Sequence, residues 1–165
     1  MNQENTELEV HEFYLKSEYG MEENKRITRI YRVALGQLIE ARERETFNTT
    51  KNPRHYDNWN QSGSIGYMDV EVSEQKIPKE GHEKDYPLDC EKRLSLEIRD
   101  IAIEPQYRRK GYAKFLKQKA EELALKWGLD VIVSPWVTNP IIKELNVKLG
   151  YKMYDKERKF VKRLK

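Results

Sequence analysis

Residues 94–128 constrain this chain more than any other stretch. Leu94-Ser95-Leu96-Glu97-Ile98-Arg99-Asp100-Ile101-Ala102-Ile103 alternates apolar and polar residues and is rich in Ile and Leu. That is the pattern of a half-buried strand. Pro105 cannot donate to a ladder, so the strand stops there. Further on, Tyr112, Leu116, Ala120, Leu123 and Trp127 recur at three- and four-residue spacings, and Phe115 and Ala124 widen the stripe. The spacing predicts a helix with one apolar face. Gly128 supplies its C-terminal stop.

Between strand and helix stand Arg108, Arg109 and Lys110, followed by Gly111-Tyr112-Ala113. A helix begins with about four backbone N–H groups that lack intrahelical partners, and with a partial charge near +0.5. Cations are unfavourable at that end, so three in succession call for an anion. Gly111 and Ala113 keep the backbone open, so a diphosphate can sit directly on it. The three basic side chains can add charge-assisted hydrogen bonds from the rim. A solvated basic first turn is the competing reading. Neither Gly-x-Gly-x-x-Gly nor Gly-x-x-x-x-Gly-Lys-Ser/Thr occurs, so the two familiar nucleotide fingerprints do not apply.

The spacing Arg108-x-x-Gly111-x-Ala113, after a strand ending Ile101-Ala102-Ile103-Glu104-Pro105, resembles the Arg/Gln-x-x-Gly-x-Gly/Ala acetyl-CoA motif of the GNAT superfamily of N-acetyltransferases. Asn139, six residues, then Asn146-Val147-Lys148-Leu149-Gly150-Tyr151 resembles that family's Asn…Tyr-x-Lys-x-Gly-Phe signature. The resemblance covers roughly residues 64–165. It implies an α+β chain with the GNAT fold: a mixed central β-sheet flanked by helices, with a splayed pair of parallel strands binding CoA. It also implies transfer of the acetyl group of acetyl-CoA, the cosubstrate, to a primary amine by direct attack in a ternary complex. No covalent intermediate on the protein is needed.

Carried over residue by residue, the resemblance gives backbone groups of Ile101, Ala102 and Ile103 to the pantetheine arm. Arg108, Arg109, Lys110, Gly111, Tyr112 and Ala113 go to the diphosphate, and Asn139 to a further CoA contact. Asn139 also suits a helix cap. Glu97 lies four residues before Ile101, the place of the catalytic Glu in the histone-acetylating branch. Its alternative is a cross-strand or surface carboxylate, with a water relay from Asp100 or a bulk-water route as competitors. Asn146 stands where the family has the Tyr that protonates the departing thiolate. Asn cannot donate an acidic proton, but a thiol with pKa near 8.5 leaves acceptably as thiolate. Asn146 could hydrogen-bond the sulfur, or Tyr151 or Tyr154 could reach in.

At 165 residues the chain suits a single domain, residues 1–165. It has no run of eighteen apolar residues, and residues 1–10 are acidic and polar, without a signal-peptide core. The expected address is the cytoplasm, with no membrane partner. Cys90 is alone, and His11, His55 and His82 are scattered, so no metal site is expected. Charge is uneven: residues 1–90 carry 12 Lys/Arg against 18 Asp/Glu, net −6, and residues 91–165 carry 19 against 10, net +9. A basic half attracts phosphate-bearing ligands and an acidic half favours a cationic substrate. The expected partner is an amine-bearing small molecule or protein; a homodimer is compatible with the sequence. A catalytically weak CoA-binding module and a nucleic-acid-binding module are the rival classes.

Elsewhere the pattern predicts a strand over residues 6–16, then a loop or short helix over 16–26. Residues 27–35 fit a helical template and a β-prone run equally, and a strand is expected over 36–46. Polar stretches with breakers predict long connections at 47–63 and 73–89 on either side of a strand at 65–72. Residues 131–136 read as a short buried strand parallel to the one before the helix. Asn139, Pro140 and Gly150 bracket a second helix whose buried stripe is Ile141, Ile142, Leu145 and Leu149. Residues 151–165 read as a final strand, bent at 155–158.

Overall fold

The computed structural model describes residues 8–19, 26–37 and 64–164. Contacts gather into two compact units, Met1–Asp69 with Asp100–Leu116, and Val70–Arg99 with Lys117–Lys165.

In the first unit, β1 (Leu8–Tyr19) and β2 (Arg26–Gln37) pair antiparallel from Leu8↔Gln37 to Tyr19↔Arg26. Residues 16–19, expected in a loop or helix, therefore continue β1. Residues 27–35 are strand, although their apolar spacing fits a helix. The reason is burial on both faces: Tyr31, Arg32, Val33, Ala34 and Leu35 are all buried. A strand covered on both sides loses its period of two, so over residues 31–35 alternation does not separate strand from helix. Of the strand expected over 36–46, only Gly36 and Gln37 are described, as the end of β2. Residues 38–46 and the connection 47–63, with Tyr56 and Trp59, lie outside the described residues.

β3 (Ser64–Pro78) is longer than the expected 65–72. Burial still alternates through Val72, Ser73, Glu74, Gln75 and Lys76 to buried Ile77. Polar residues on the inner face hid that alternation. The connection is thus residues 79–89, with one 3-10 turn at Glu83–Asp85. β4 (Cys90–Ile103) begins four residues earlier than expected. Arg93 there donates to both carboxylate oxygens of Asp130, at 2.8 and 2.7 Å.

α1 (Tyr112–Lys126) follows β4, and β5 (Val131–Ser134) follows α1. β5 is wholly buried and pairs parallel with β4 at Leu96↔Ile132 and Glu97↔Val133. β4 itself runs on to Ile103. β5 ends before Trp136, which is 62% exposed at φ 57°. The buried strand therefore stops at Ser134 rather than 136.

α2 (Pro140–Lys148) starts as predicted, with Asn139 Oδ1 accepting from the Ile141 N–H at 2.8 Å. Its expected apolar stripe is not the buried face. Ile141 is 60% exposed, Ile142, Leu145 and Leu149 are half-buried, and Asn146 is the buried residue of the helix. Residues 151–165 form a hairpin instead of one bent strand: β6 (Lys152–Tyr154) and β7 (Lys159–Arg163) pair antiparallel. Asp155, Lys156 and Glu157 turn the chain in left-handed conformation at the place where a bend was expected. β7 also pairs antiparallel with β5, from Val131↔Arg163 to Ser134↔Phe160. The strands form a mixed seven-stranded sheet in the order β1-β2-β3-β4-β5-β7-β6. In the second unit Ile77, Val131, Val133, Tyr154 and Val161 form one apolar cluster with Tyr86 against it.

Candidate functional site

Within the first unit, the end of β4 leads straight into the basic turn. Glu104 N–H donates to the Ile65 carbonyl at 2.8 Å, tying the strand's exit to β3. One 3-10 turn, Pro105–Tyr107, follows, and the Arg108 N–H closes it on the Pro105 carbonyl at 3.3 Å. Arg109 at φ 65° and Gly111 at φ 87° are both left-handed, which turns the chain into the helix. The Phe115 N–H donates to the Gly111 carbonyl at 3.0 Å. The N–H groups just ahead of Phe115 are those that a starting helix leaves without intrahelical acceptors.

Arg108, Arg109, Lys110 and Gly111 are exposed, and Tyr112 and Ala113 half-buried. The predicted residues are thus brought together as one continuous, accessible cationic turn on a helix N-terminus. Arg108 has a second task not visible in the sequence: its Nε donates to the Ile103 carbonyl at 2.9 Å. The guanidinium therefore links the turn to the strand end, leaving its remaining N–H groups for an anion. Ile101, Ala102 and Ile103 are half-buried.

The first unit also holds a polar network that sequence reasoning missed. Fully buried Arg32 donates to both carboxylate oxygens of Asp69, at 2.6 and 2.8 Å. Its guanidinium lies 3.6 Å from the Tyr67 ring centroid, and the Tyr67 hydroxyl donates to Asp100 Oδ2 at 2.9 Å. Burial, then the Asp100 hydrogen bond, pushes the Tyr67 hydroxyl up to about 12, so it remains a donor. Asp100 itself is exposed.

In the second unit, Glu97 is half-buried and its Oε1 accepts from Gln75 Nε2 at 2.8 Å. Asn139 is exposed, with its Oδ1 engaged as the α2 cap. Asn146 is fully buried, and neither its amide nitrogen nor its amide oxygen has a hydrogen-bond partner among the described residues. Its backbone carbonyl accepts from the Tyr151 N–H at 2.9 Å. The Tyr151 hydroxyl is likewise buried without a partner among the described residues. Burial, then Glu121, raises its pKa. Burial raises that of Tyr154 as well. Both phenols hold their protons tightly, which makes them poor acids toward a departing thiolate.

Lys117 was also missed. It is 1% exposed, and its Nζ lies 4.9 Å from the Tyr151 ring centroid with no hydrogen-bond partner among the described residues. Burial pushes its pKa down to about 7. The signal was present: Lys117 follows Ala113 by four residues and precedes Ala120 by three, inside the apolar arc of α1. Of the scattered histidines, His82 meets Asp85 at 2.9 Å and Asp89 at 3.6 Å, all three exposed.

The family model described as the acetyltransferase (GNAT) family matches residues 32–150. No curated protein matches the chain. Among solved structures, the KacTA–DNA complex is similar at TM-score 0.53 and 12% identity, covering 96% of this chain and 94% of that one. A mutant AtaT toxin bound to acetyl-CoA and the C-terminus of the antitoxin AtaR is similar at TM-score 0.52 and 12% identity, covering 82% and 68%. AtaT complexed with acetyl-methionyl-tRNAfMet is similar at TM-score 0.52 and 14% identity, covering 81% and 71%. At these identities the likeness is one of fold.

Proposed function

The chain belongs to the GNAT acetyltransferase family, and we propose that it acts, as a single domain, as an N-acetyltransferase moving acetyl from acetyl-CoA to a primary amine within a ternary complex. The observation that carries this reading is the exposed cationic turn Arg108–Gly111, with left-handed Arg109 and Gly111, at the start of α1.

On this reading the helix-start N–H groups at Gly111, Tyr112 and Ala113, with Arg108, Arg109 and Lys110, hold the diphosphate. Backbone groups of Ile101, Ala102 and Ile103 hold the pantetheine arm and polarise the acetyl oxygen. Asn139 contacts CoA while capping α2. The family chemistry is attack of an amine nitrogen on the thioester carbon with departure of the thiolate. A lysine-like amine with pKa near 10.4 is neutral in only about one molecule in 2,500 at pH 7, so a base is useful. Glu97, oriented by Gln75, takes that proton. Asn146, where the family resemblance expects the acid, donates no proton, so the sulfur departs as thiolate.

A second reading, a catalytically weak CoA-binding or nucleic-acid-binding module, is favoured by one observation: the phenols of Tyr151 and Tyr154 have raised pKa values, while Asn146, where the resemblance expects the acid, has no acidic proton. Thiol release from acetyl-CoA, measured against free amino acids, polyamines, aminoglycosides, peptides and aminoacyl-tRNA, separates the two. The last acceptor is included because AtaT was solved with acetyl-methionyl-tRNAfMet. Turnover with any amine supports the enzyme. Tight acetyl-CoA binding with no turnover across the panel supports the module.

A further inference from the structure

Gly66 lies inside β3, buried, and outside the left-handed region that the positive-φ glycines of this chain occupy. Conformational freedom is therefore not what the position needs. Space is. A Cβ built on Gly66 would stand 2.4 Å from the Ala102 carbonyl oxygen, 2.7 Å from Ile103 Cδ1 and 3.1 Å from Ile103 Cα. Real Cβ atoms essentially never approach a neighbour within 3.0 Å, so with any side chain there the spacing between Gly66 and the Ala102 carbonyl must open by about 0.6 Å. Two of the three contacts are backbone, which cannot rotate away as a flexible side chain can. A glycine inside a strand often marks such a close backbone approach.

The same short segment is held from its other end. Arg108 Nε donates to the Ile103 carbonyl, and the next N–H, that of Glu104, donates to the Ile65 carbonyl beside Gly66. Ala102–Ile103 is thus fixed by β3 on one side and by the cationic turn on the other. We infer that Gly66 is a positioning residue for acetyl transfer: its missing side chain sets where the Ala102–Ile103 backbone lies, and so where the pantetheine arm and thioester are held relative to the diphosphate turn. This rests on the acetyl-CoA reading above. It adds a residue that touches neither the cosubstrate nor the acceptor. A misplacement of about 1 Å at a reacting centre can cost on the order of 100-fold in rate.

The test compares two ligands. Acetyl-CoA needs both the turn and the strand end, whereas ADP carries the diphosphate without a pantetheine arm. Isothermal titration is run with both on the full chain, on Gly66→Ala, and on Leu123→Ala as a core-truncation control. For Gly66→Ala the expected result is acetyl-CoA affinity weaker by about tenfold or more with ADP affinity unchanged. kcat should fall as well as KM rise, because the thioester is misplaced when bound. Leu123→Ala should lower the melting temperature without changing the ratio of the two affinities. If Gly66→Ala does not fold, Gly66→Ala/Ile103→Ala removes the 2.7 Å side-chain contact. It is measured against Ile103→Ala, with the same selective loss expected. Equal loss of both ligands, or loss of neither, overturns the inference. A wild-type chain that binds ADP but not acetyl-CoA overturns the acetyl-CoA reading instead.

Discussion

Burying an amine as Lys117 does penalises its charged form and lowers its pKa from 10.5 to about 7. The unfolded chain then holds more protons than the folded one between pH 7 and 10.5. Stability rises with pH across that window, and below pH 7 the full penalty applies. Lys117→Met keeps the apolar stem and removes the charge. It should raise the melting temperature at pH 6–7 by several degrees, with a cost of a few kcal/mol relieved, and flatten the rise between pH 7 and 10. A variant with the wild-type slope across that window would remove Lys117 as its source. Asn146 allows a similar separation of stability from activity. Its amide is fully buried, with both polar atoms lacking partners among the described residues, which costs about 1–3 kcal/mol. Asn146→Leu should therefore unfold at the same or higher temperature and release thiol no more slowly, since a fully buried amide does not reach the sulfur. Asn146→Tyr should leave turnover unchanged, since a phenol buried there would hold its proton as tightly as those of Tyr151 and Tyr154. A large loss of stability in Asn146→Leu would mean that the amide is hydrogen-bonded in solution.

The turn between β4 and α1 owes its geometry to two left-handed residues with different tolerances. Arg109 already carries a Cβ at φ 65°. Gly111 at φ 87° does not, and a Cβ there meets nothing within 4 Å. Gly111→Ala is therefore opposed by backbone strain alone, about 1–2 kcal/mol. Its melting temperature without ligand should fall by only a few degrees. Acetyl-CoA affinity should fall by much more than that loss implies, because the N–H groups at the helix start no longer converge on one anion. Parallel losses, with affinity tracking stability, would make the turn structural. The opposite case is α2. Its cap at Asn139 is local and held as predicted, while the face it buries is centred on a polar residue. A cap depends on the next few residues, whereas a buried face depends on what packs against it.

For the whole molecule, cosubstrate binding and stability are one equilibrium. A ligand that binds only the folded chain stabilises it by about 2.7 kcal/mol at 100 times its Kd. Saturating acetyl-CoA should raise the melting temperature by several degrees for a chain of this length. The shift should shrink as salt rises, because the net +9 of residues 91–165 meets a ligand carrying several phosphate charges. Absence of any shift at millimolar acetyl-CoA would count against the cosubstrate. A shift indifferent to salt would place the ligand away from Arg108, Arg109 and Lys110.

What the sequence determined is what neighbours along the chain decide. Pro105 near the end of β4, the open backbone at Gly111, the apolar stripe of α1 and the Asn139-Pro140 start of α2 are each governed by residues within one or two turns. For that reason the cationic turn, the family and the order of elements from β3 to α2 were legible. Tertiary structure decided the rest. Residues 27–35 became strand because β1 offered a twelve-residue partner, and a run buried on both faces has no period to read. The last strand became a hairpin because β7 pairs with β5 as well as β6. Lys117 and Asn146 lie inside, against any hydropathy rule, since burial is a property of what surrounds a residue and not of its type. Gly66 carries its meaning from Ala102 and Ile103, more than thirty residues away. Contacts at that separation are set by the path of the folded chain, which no local pattern encodes.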